Sequence, residues 1–472
     1  MANPTQNLGS PSADPAAVLP LEAPSATSGK APASAWYALV ILVLATFLGT
    51  LDAALLKLLA EPVRHSLGLS DTQLGLMQGM GLTLFAGIAT YPIGWIADRY
   101  DRRVVLAACV VLWSAATAAR GASHSFEMMF LASMGLGIGE AGLGPIVYSL
   151  IPDLFPSKQR VLATSVYALL SLTGAGIGIA LGGAIVPMLE SLRPDLPLAL
   201  QGLESWRLAC MAVALPGPFV ALLVLTMRWR VKVNPGARAN VKLNASTNDG
   251  TAEHAAVAPY VGVLRYVSDH WKTLLGVVGG VGLSSMGLGA LGSWLPVLAA
   301  REYGATPAQI GQGIGSAILC GTVAGATLGG LLLRHMRRHF GPAAPLRVIM
   351  LGQVAAAMLS LMLLMVRSAN DIYILLGLMF TPLIATSMLS PTLMQDLSPA
   401  HLRTRMISLL TLTMLPFGAI SPVLVGIASD LHGHLITAIL CITFAGVTVG
   451  ALVLRLTETS FTRTIVLARS MG

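Results

Sequence analysis

Apolar residues in this chain run in long unbroken blocks, without the alternation of a half-buried strand or the narrow stripe of a surface helix. A helix needs roughly 20 apolar residues, at about 1.5 Å of rise each, to cross a bilayer. Blocks of that length stand near 36–60, 73–97, 104–122, 126–151, 161–187 and 207–227. A second set stands near 273–299, 308–333, 346–366, 371–394, 404–428 and 435–455. The pattern predicts an all-α integral membrane fold of twelve transmembrane helices. One long polar connection divides them six and six. The expected organisation is a disordered tail over 1–34, a six-helix bundle over 35–228, a linker over 229–271, a second bundle over 272–457 and a tail over 458–472. Before Trp36 the chain is rich in Pro, Ala and Ser, with no charged segment leading into an apolar core and cleavage site. The first apolar block is therefore expected to be retained as a helix.

Composition agrees with this pattern. Hydrophobic residues make up 55% of the chain and charged residues 11%, whereas a soluble domain has about a quarter of its residues charged. The 49 glycines suit helices that must approach closely without a hydrophobic force between them.

Charge then sets an expected orientation. Lys30, Arg99, Arg102, Arg103, Lys158, Arg160, the 228–272 connection, Arg334, Arg337, Arg338, Arg347, Arg403, Arg405 and the C-terminal arginines fall at one set of helix ends. The opposite ends carry only Arg64, Arg120, Arg193, Arg207, Arg301 and Arg367. By the positive-inside rule both termini are cytoplasmic, in a multi-pass plasma membrane such as a bacterial inner membrane. The same bias accounts for the net charge of +8 without a nucleic-acid partner.

An internal repeat is legible. With a shift of 236 positions, Gln73, Gly75, Gly79, Gly94 and Arg102 fall on Gln309, Gly311, Gly315, Gly330 and Arg338. Asp153-Leu154-Phe155-Pro156 with Arg160 matches Asp396-Leu397-Ser398-Pro399 with Arg403, both reading DLxPxxxR. Two parallel six-helix repeats with a site near the midplane between them are a recurring transporter plan.

The segment Gly94-Trp95-Ile96-Ala97-Asp98-Arg99-Tyr100-Asp101-Arg102-Arg103 resembles the GxxxDRxxRR signature of the major facilitator superfamily. Within it, Leu51-Asp52, Leu58-Leu59-Ala60-Glu61-Pro62, Leu69-Ser70-Asp71-Thr72-Gln73, Gly135-Leu136-Gly137-Ile138-Gly139-Glu140-Ala141 and Trp206-Arg207 resemble the spinster-related branch. The resemblance implies the major facilitator fold and alternating access, often proton-coupled, with lipid-like or amphipathic organic anions among the substrates. The chain departs from the branch at Ala53 and Ser133, where relatives carry arginine. That departure points to a modified coupling or to an uncoupled facilitator.

Charges inside the spans are few. Glu140 lies near the middle of the fourth helix, where a carboxylate costs several kcal/mol unless protonated, paired or hydrated. It is the first proton-coupling candidate and Asp52 of the first helix the second. Lys57 follows Asp52 on about the same face. One reading pairs it with Asp52, Glu140 or an anionic head group; the other lets it snorkel outward or pair with Glu61. Asp52, Lys57 and Glu140, together with Tyr148 and Trp294, are the expected substrate contacts. Gly94, Asp98, Arg99, Arg102, Arg103, Asp153 and Arg160 form an expected conformational latch, the alternative being that the arginines only set orientation. The second repeat has Arg334 and His335 where Asp98 and Arg99 map, so the latch is asymmetric.

Other chemistry is not indicated. Cys109, Cys210, Cys320 and Cys441 have no ligand spacing, no histidine sits mid-span, and there is no GxxxxGK[ST] phosphate cradle. No catalytic residue, metal or cofactor is expected. The expected partners are a small-molecule or lipid substrate, protons and membrane lipids, around a monomer. A charged N-terminal half facing an apolar C-terminal half suits a lysolipid, a sphingoid phosphate or a hydrophobic drug. A sensor that kept the transporter fold is the competing class.

Overall fold

A computed structural model describes residues 31–227, 265–399 and 402–470. Among the described residues the protein is helical throughout, without strands. The first half comprises α1 (Ala33–Leu58), α2 (Asp71–Arg99), α3 (Arg102–Gly121), α4 (Phe126–Leu154), α5 (Ser157–Leu192) and α6 (Ser205–Thr226). The second comprises α7 (Trp271–Tyr303), α8 (Pro307–Phe340), α9 (Ala344–Leu361), α10 (Ala369–Leu397), α11 (Arg403–His432) and α12 (Leu435–Ser470). The apolar run Pro307–Met365 turns at Gly341, which adopts φ +53°, so eleven apolar runs yield twelve spans. Most of the linker and the residues before Ala31 lie outside the described residues.

The repeat has a structural cause at its glutamines and at the first two matched glycines. Ser70 and Gln73 form a capping box at the start of α2, and Thr306 and Gln309 form the same box at the start of α8. Each satisfies helix N–H groups that lack intrahelical partners. Gly68 and Gly304, also 236 apart, precede these boxes at φ +63° and +59°, a left-handed conformation that glycine adopts without steric cost.

The matched glycines of α2 and α8 build the two seams between the halves. A Cβ on Gly75 or Gly79 would strike the Pro422 or Ala419 carbonyl of α11. A Cβ on Gly311 or Gly315 would likewise strike α5 at Gly183 or Gly176. Helices in a membrane associate by such close packing. Both seams lie toward the end that carries Arg301. Past Gly87, which packs against Leu415, α2 leaves α11 and packs within its own half. Ile88, Tyr91 and Trp95 are exposed there, Tyr91 at 79%. The halves are thus joined at the Arg301 end and separated along α2 and α11 at the basic end, where Arg99 to Arg103 lie.

Residues 458–470, within the expected C-terminal tail, continue α12. Phe461 and Ile465, one turn apart, are fully buried in a cluster with Tyr266 and Leu397, and Arg347 of α9 binds Glu458 at 2.6 Å. The end of the expected linker is also ordered: residues 265–269 are helical and the Tyr266 hydroxyl donates to the Leu397 carbonyl.

Candidate functional site

Three helices of the first half bring the intramembrane charges together. Asp52 of α1 is 1% exposed. It accepts a hydrogen bond from the Thr117 hydroxyl and faces Arg120 Nη1 at 3.4 Å, both from α3. Thr117 and Arg120 share a helix face at i, i+3. Arg120, expected at a loop-facing helix end, is instead completely buried. A buried arginine without an acid would be strongly destabilising, so the pair with Asp52 is what places it there. Its Nε and Nη2 are buried without a hydrogen-bond partner.

Glu140 stands at a break in α4, which is helical over Phe126–Glu140 and resumes at Leu143–Leu154. The GxGxGEA glycines explain how it reaches the other charges. A Cβ on Gly139 would fall 2.7 Å from Trp113 of α3, and one on Gly137 would strike the Leu82 carbonyl of α2. A Cβ on Gly49 of α1 would lie 3.7 Å from Glu140 Oε1, so the carboxyl rests on α1 one turn before Asp52. Glu140 interacts electrostatically with Asp52, Arg120 and Lys57. Its Oε1 is buried without a hydrogen-bond partner. Two acids and two bases thus share one desolvated region, where an unpaired charge would be costly. Lys57 is part-buried with Glu140 as the acid it senses, and Ser133 bonds only its own helix, at Met129 O.

Two further expected contacts lie apart from this cluster. Tyr148 is 50% exposed and meets Tyr167 edge-on at 5.3 Å; Tyr167 in turn reaches Thr46 at 3.0 Å. Trp294 is completely buried and donates its indole N–H to the Pro422 carbonyl at 3.0 Å. It braces α7 against α11 within the second half.

The residues expected to form a latch gather at the basic end. Arg102 binds Asp153 at 3.1 Å and the Ser149 carbonyl at 3.2 Å, with Asp98 at 3.8 Å. Arg103 binds Asp101 at 2.7 Å and the Met227 carbonyl at 2.7 Å, and holds the Asp101 carboxyl below the usual carboxylate range. Arg99 stacks on Trp95 at 3.4 Å, and Arg160 donates to the Phe155 carbonyl. These partners all belong to the first half. In the second half Asp396 pairs with Arg337 at 3.5 Å, the residue before Arg338, which the repeat matches to Arg102. A Cβ on Gly94 or on its counterpart Gly330 would meet nothing within 4 Å.

A second polar assembly, at the Arg301 end, was not foreseen. Arg301 of α7 binds both Glu61 and Asp71 of the first half. Ser429 of α11 donates to Asp71 at 2.6 Å, and Asp430 accepts from the backbone N–H groups of Asp71 and Thr72. Arg64, 3.0 Å from Asp71, and His65, 3.0 Å from Glu61, complete it.

A multi-pass membrane protein of two six-helix repeats, with a buried ionisable cluster in one repeat and a cross-repeat ion-pair lock at one end, is the class these features define. Residues 42–422 match the family described as the Major Facilitator Superfamily. The chain belongs to that family. It is 26% identical over 401 residues to an MFS-type efflux pump of Mycolicibacterium smegmatis, covering 84% of this chain and 85% of that protein. It is 26% identical over 232 residues to protein spinster homolog 3 of Mus musculus and 30% identical over 147 residues to a sphingosine-1-phosphate transporter of the same species. Those two matches span 40% and 27% of the relatives' lengths. Among solved structures it resembles a bacterial homolog of the human lysosomal transporter Spinster, inward-facing and unoccupied, with a TM-score of 0.71 and 20% identity over 93% of this chain and 98% of that one. A D-xylose–proton symporter gives a TM-score of 0.59 at 14% identity, covering 88% of this chain and 97% of that one. At these identities the structural likeness is one of fold.

Proposed function

We propose that this chain is a secondary active transporter, and no enzyme, that moves an amphipathic organic anion of lysolipid or sphingolipid-like character by proton-coupled alternating access. The buried cluster of Asp52, Arg120, Glu140 and Lys57 beside the break in α4 carries this reading. A membrane protein retains buried ionisable groups where a charged substrate group or a proton must pass, and a broken helix at mid-membrane is a common way to build such a site. Asp52 and Glu140 serve as proton carriers. Lys57 meets the anionic end of the substrate and Tyr148 contacts it farther along the path, with the second half against its apolar body. Trp294 supports that apolar wall from behind.

Alternating access is supported by the unequal ends. The Arg301 lock and glycine seams hold one end together, while the basic end, assigned to the cytoplasm of a bacterial inner-membrane protein with both termini inside, stands apart. Gly94 and Gly330 face open space here, and a glycine at those places serves the state in which the basic ends approach. Asp98, Arg99, Arg102, Arg103, Asp153 and Arg160 then act as the latch of that state. The long match to an efflux pump favours a second reading, export of a hydrophobic drug by the same machinery.

Purified protein in proteoliposomes tests the proposal with a labelled lysophospholipid, an imposed pH gradient, and the Glu140→Gln variant. The expected result is gradient-driven movement in the parent protein and gradient-independent exchange in the variant. A parent protein indifferent to the gradient defeats the coupling, and a variant that keeps the gradient response removes Glu140 from it.

A further inference from the structure

Arg120 spends only part of its hydrogen-bonding capacity on Asp52. Nη1 approaches Asp52 at 3.4 Å, while the Thr117 hydroxyl takes the other carboxylate oxygen. The Nε and Nη2 groups, which form the side-on edge that grips a carboxylate through two parallel bonds, are buried without a hydrogen-bond partner. Unmet buried donors are costly. The matching acceptor is close by. Glu140 Oε1 is also buried without a partner and rests against Gly49, three residues and about 4.5 Å of helix rise from Asp52. The charged and titratable groups around Asp52 are Arg120 of α3, Glu140 of α4 and Cys210 of α6; Lys57, on the same helix as Asp52, interacts electrostatically with Glu140.

We propose that Arg120 is the positioning residue of proton exchange, holding Asp52 while that carboxylate is charged and turning its Nε/Nη2 edge to Glu140 when Asp52 takes up a proton. The exchange is balanced: the proton that leaves the Glu140 carboxyl arrives on Asp52, and the guanidinium moves the opposite way as a counter-charge. The two acids are thereby mutually exclusive partners of one cation. This inference rests on the reading of Asp52 and Glu140 as the coupling pair.

Infrared spectra of the full chain in lipid nanodiscs test it without a transported ligand. The Glu140 carboxyl band is assigned by its loss in Glu140→Gln. Asp52→Asn mimics the protonated acid and releases Arg120, so the Glu140 band is expected to shift. The double variant Asp52→Asn/Arg120→Met removes one charge of each sign and is expected to return the band to its parent position. A band unmoved by Asp52→Asn, or moved equally with and without Arg120, overturns the proposal. Should the double variant fail to fold by thermal unfolding, Asp52→Asn/Arg120→Lys takes its place. That variant keeps the charge but lacks the two-nitrogen edge, so a smaller shift is expected and an equal shift overturns the proposal. Uptake driven by a pH gradient is measured in parallel. Loss of that response in the parent protein defeats the coupling reading, whereas unaltered bands with intact coupling defeat only the role of Arg120.

Discussion

Arg301 on α7 clasps the carboxylate of Asp71 at the start of α2, with Nη2 2.7 Å from Oδ1 and Nη1 2.8 Å from Oδ2. The same guanidinium reaches Glu61 through Nε and Nη2. One residue of the second half thus neutralises two largely buried acids of the first. Replacing it as Arg301→Gln leaves both acids with Arg64 and His65 as their remaining basic partners beside the Ser429 hydroxyl, and breaking a buried pair from one side costs about 3 kcal/mol. The state open at the Arg301 end is expected to gain on the order of a hundredfold in relative population. Spin labels at the exposed positions His124 and Arg367 are expected to report a longer mean distance. An unchanged distribution would reduce the lock to a local contact.

The latch predicts the opposite displacement. Asp98 is 78% exposed in its side chain here and lies 3.8 Å from Arg102, so Asp98→Asn is expected to leave thermal stability within about 0.5 kcal/mol. Its effect belongs to the state in which the basic ends meet. Labels at Tyr100 and Arg403 are expected to shift toward longer distances in the variant. Identical distributions in parent and variant would make the motif an orientation signal alone.

Lys57 lies between its two readings, part-buried but coupled to Glu140. Lys57→Met keeps the length and removes the charge, and transport is expected to fall about tenfold, the effect of about 1.4 kcal/mol on a rate-limiting step. Ala53→Arg, one turn earlier, is expected to restore part of it. Full activity in Lys57→Met, with loss in the double variant, would take Lys57 out of the site.

Glu204, in the connection before α6, accepts from Ser66, Trp206 and Arg207. These contacts, the Ser66 hydrogen bond foremost, hold its carboxyl below its ordinary value of 4.5. A depressed carboxyl contributes stability above its unfolded value and loses it as pH falls through the folded one. Thermal stability is therefore expected to fall below about pH 4.5, modestly because the side chain is half exposed, and Glu204→Gln is expected to flatten that slope. Parallel curves for parent and variant would show that other acids set it.

How much could be read in advance differs between fold and site. Twelve spans, the six-and-six division and the parallel repeat were legible because a bilayer demands apolar runs of fixed length, and because capping boxes and seam glycines recur at fixed offsets. The Gly94–Arg103 motif was legible as a contiguous string. Glu140 and Asp52 stood out because charges are rare in apolar runs. Arg120 did not, although it lies inside the expected third span three residues after Thr117. Near a helix end, sequence position alone cannot tell an outward-facing arginine from one turned into the bundle.

The amino-acid sequence by itself determined the helices, their number and their pairing into repeats, since those follow from local apolar length and from residues that start and stop helices. Tertiary structure alone decided which charges meet. Asp52 and Arg120 are 68 residues apart and Arg301 and Asp71 are 230 apart, so no local pattern couples them. Their partnership comes from helix rotation within the packed bundle, and Glu140 of α4 joins the cluster through approaches that Gly49, Gly137 and Gly139 permit. The fold also decided that Trp294 braces α7 against α11 instead of joining the charges, because its indole N–H finds the Pro422 carbonyl only once those helices are packed. The physical reason is the same in each case: burial in a low-dielectric interior makes pairing obligatory, but only the packed bundle determines the partner.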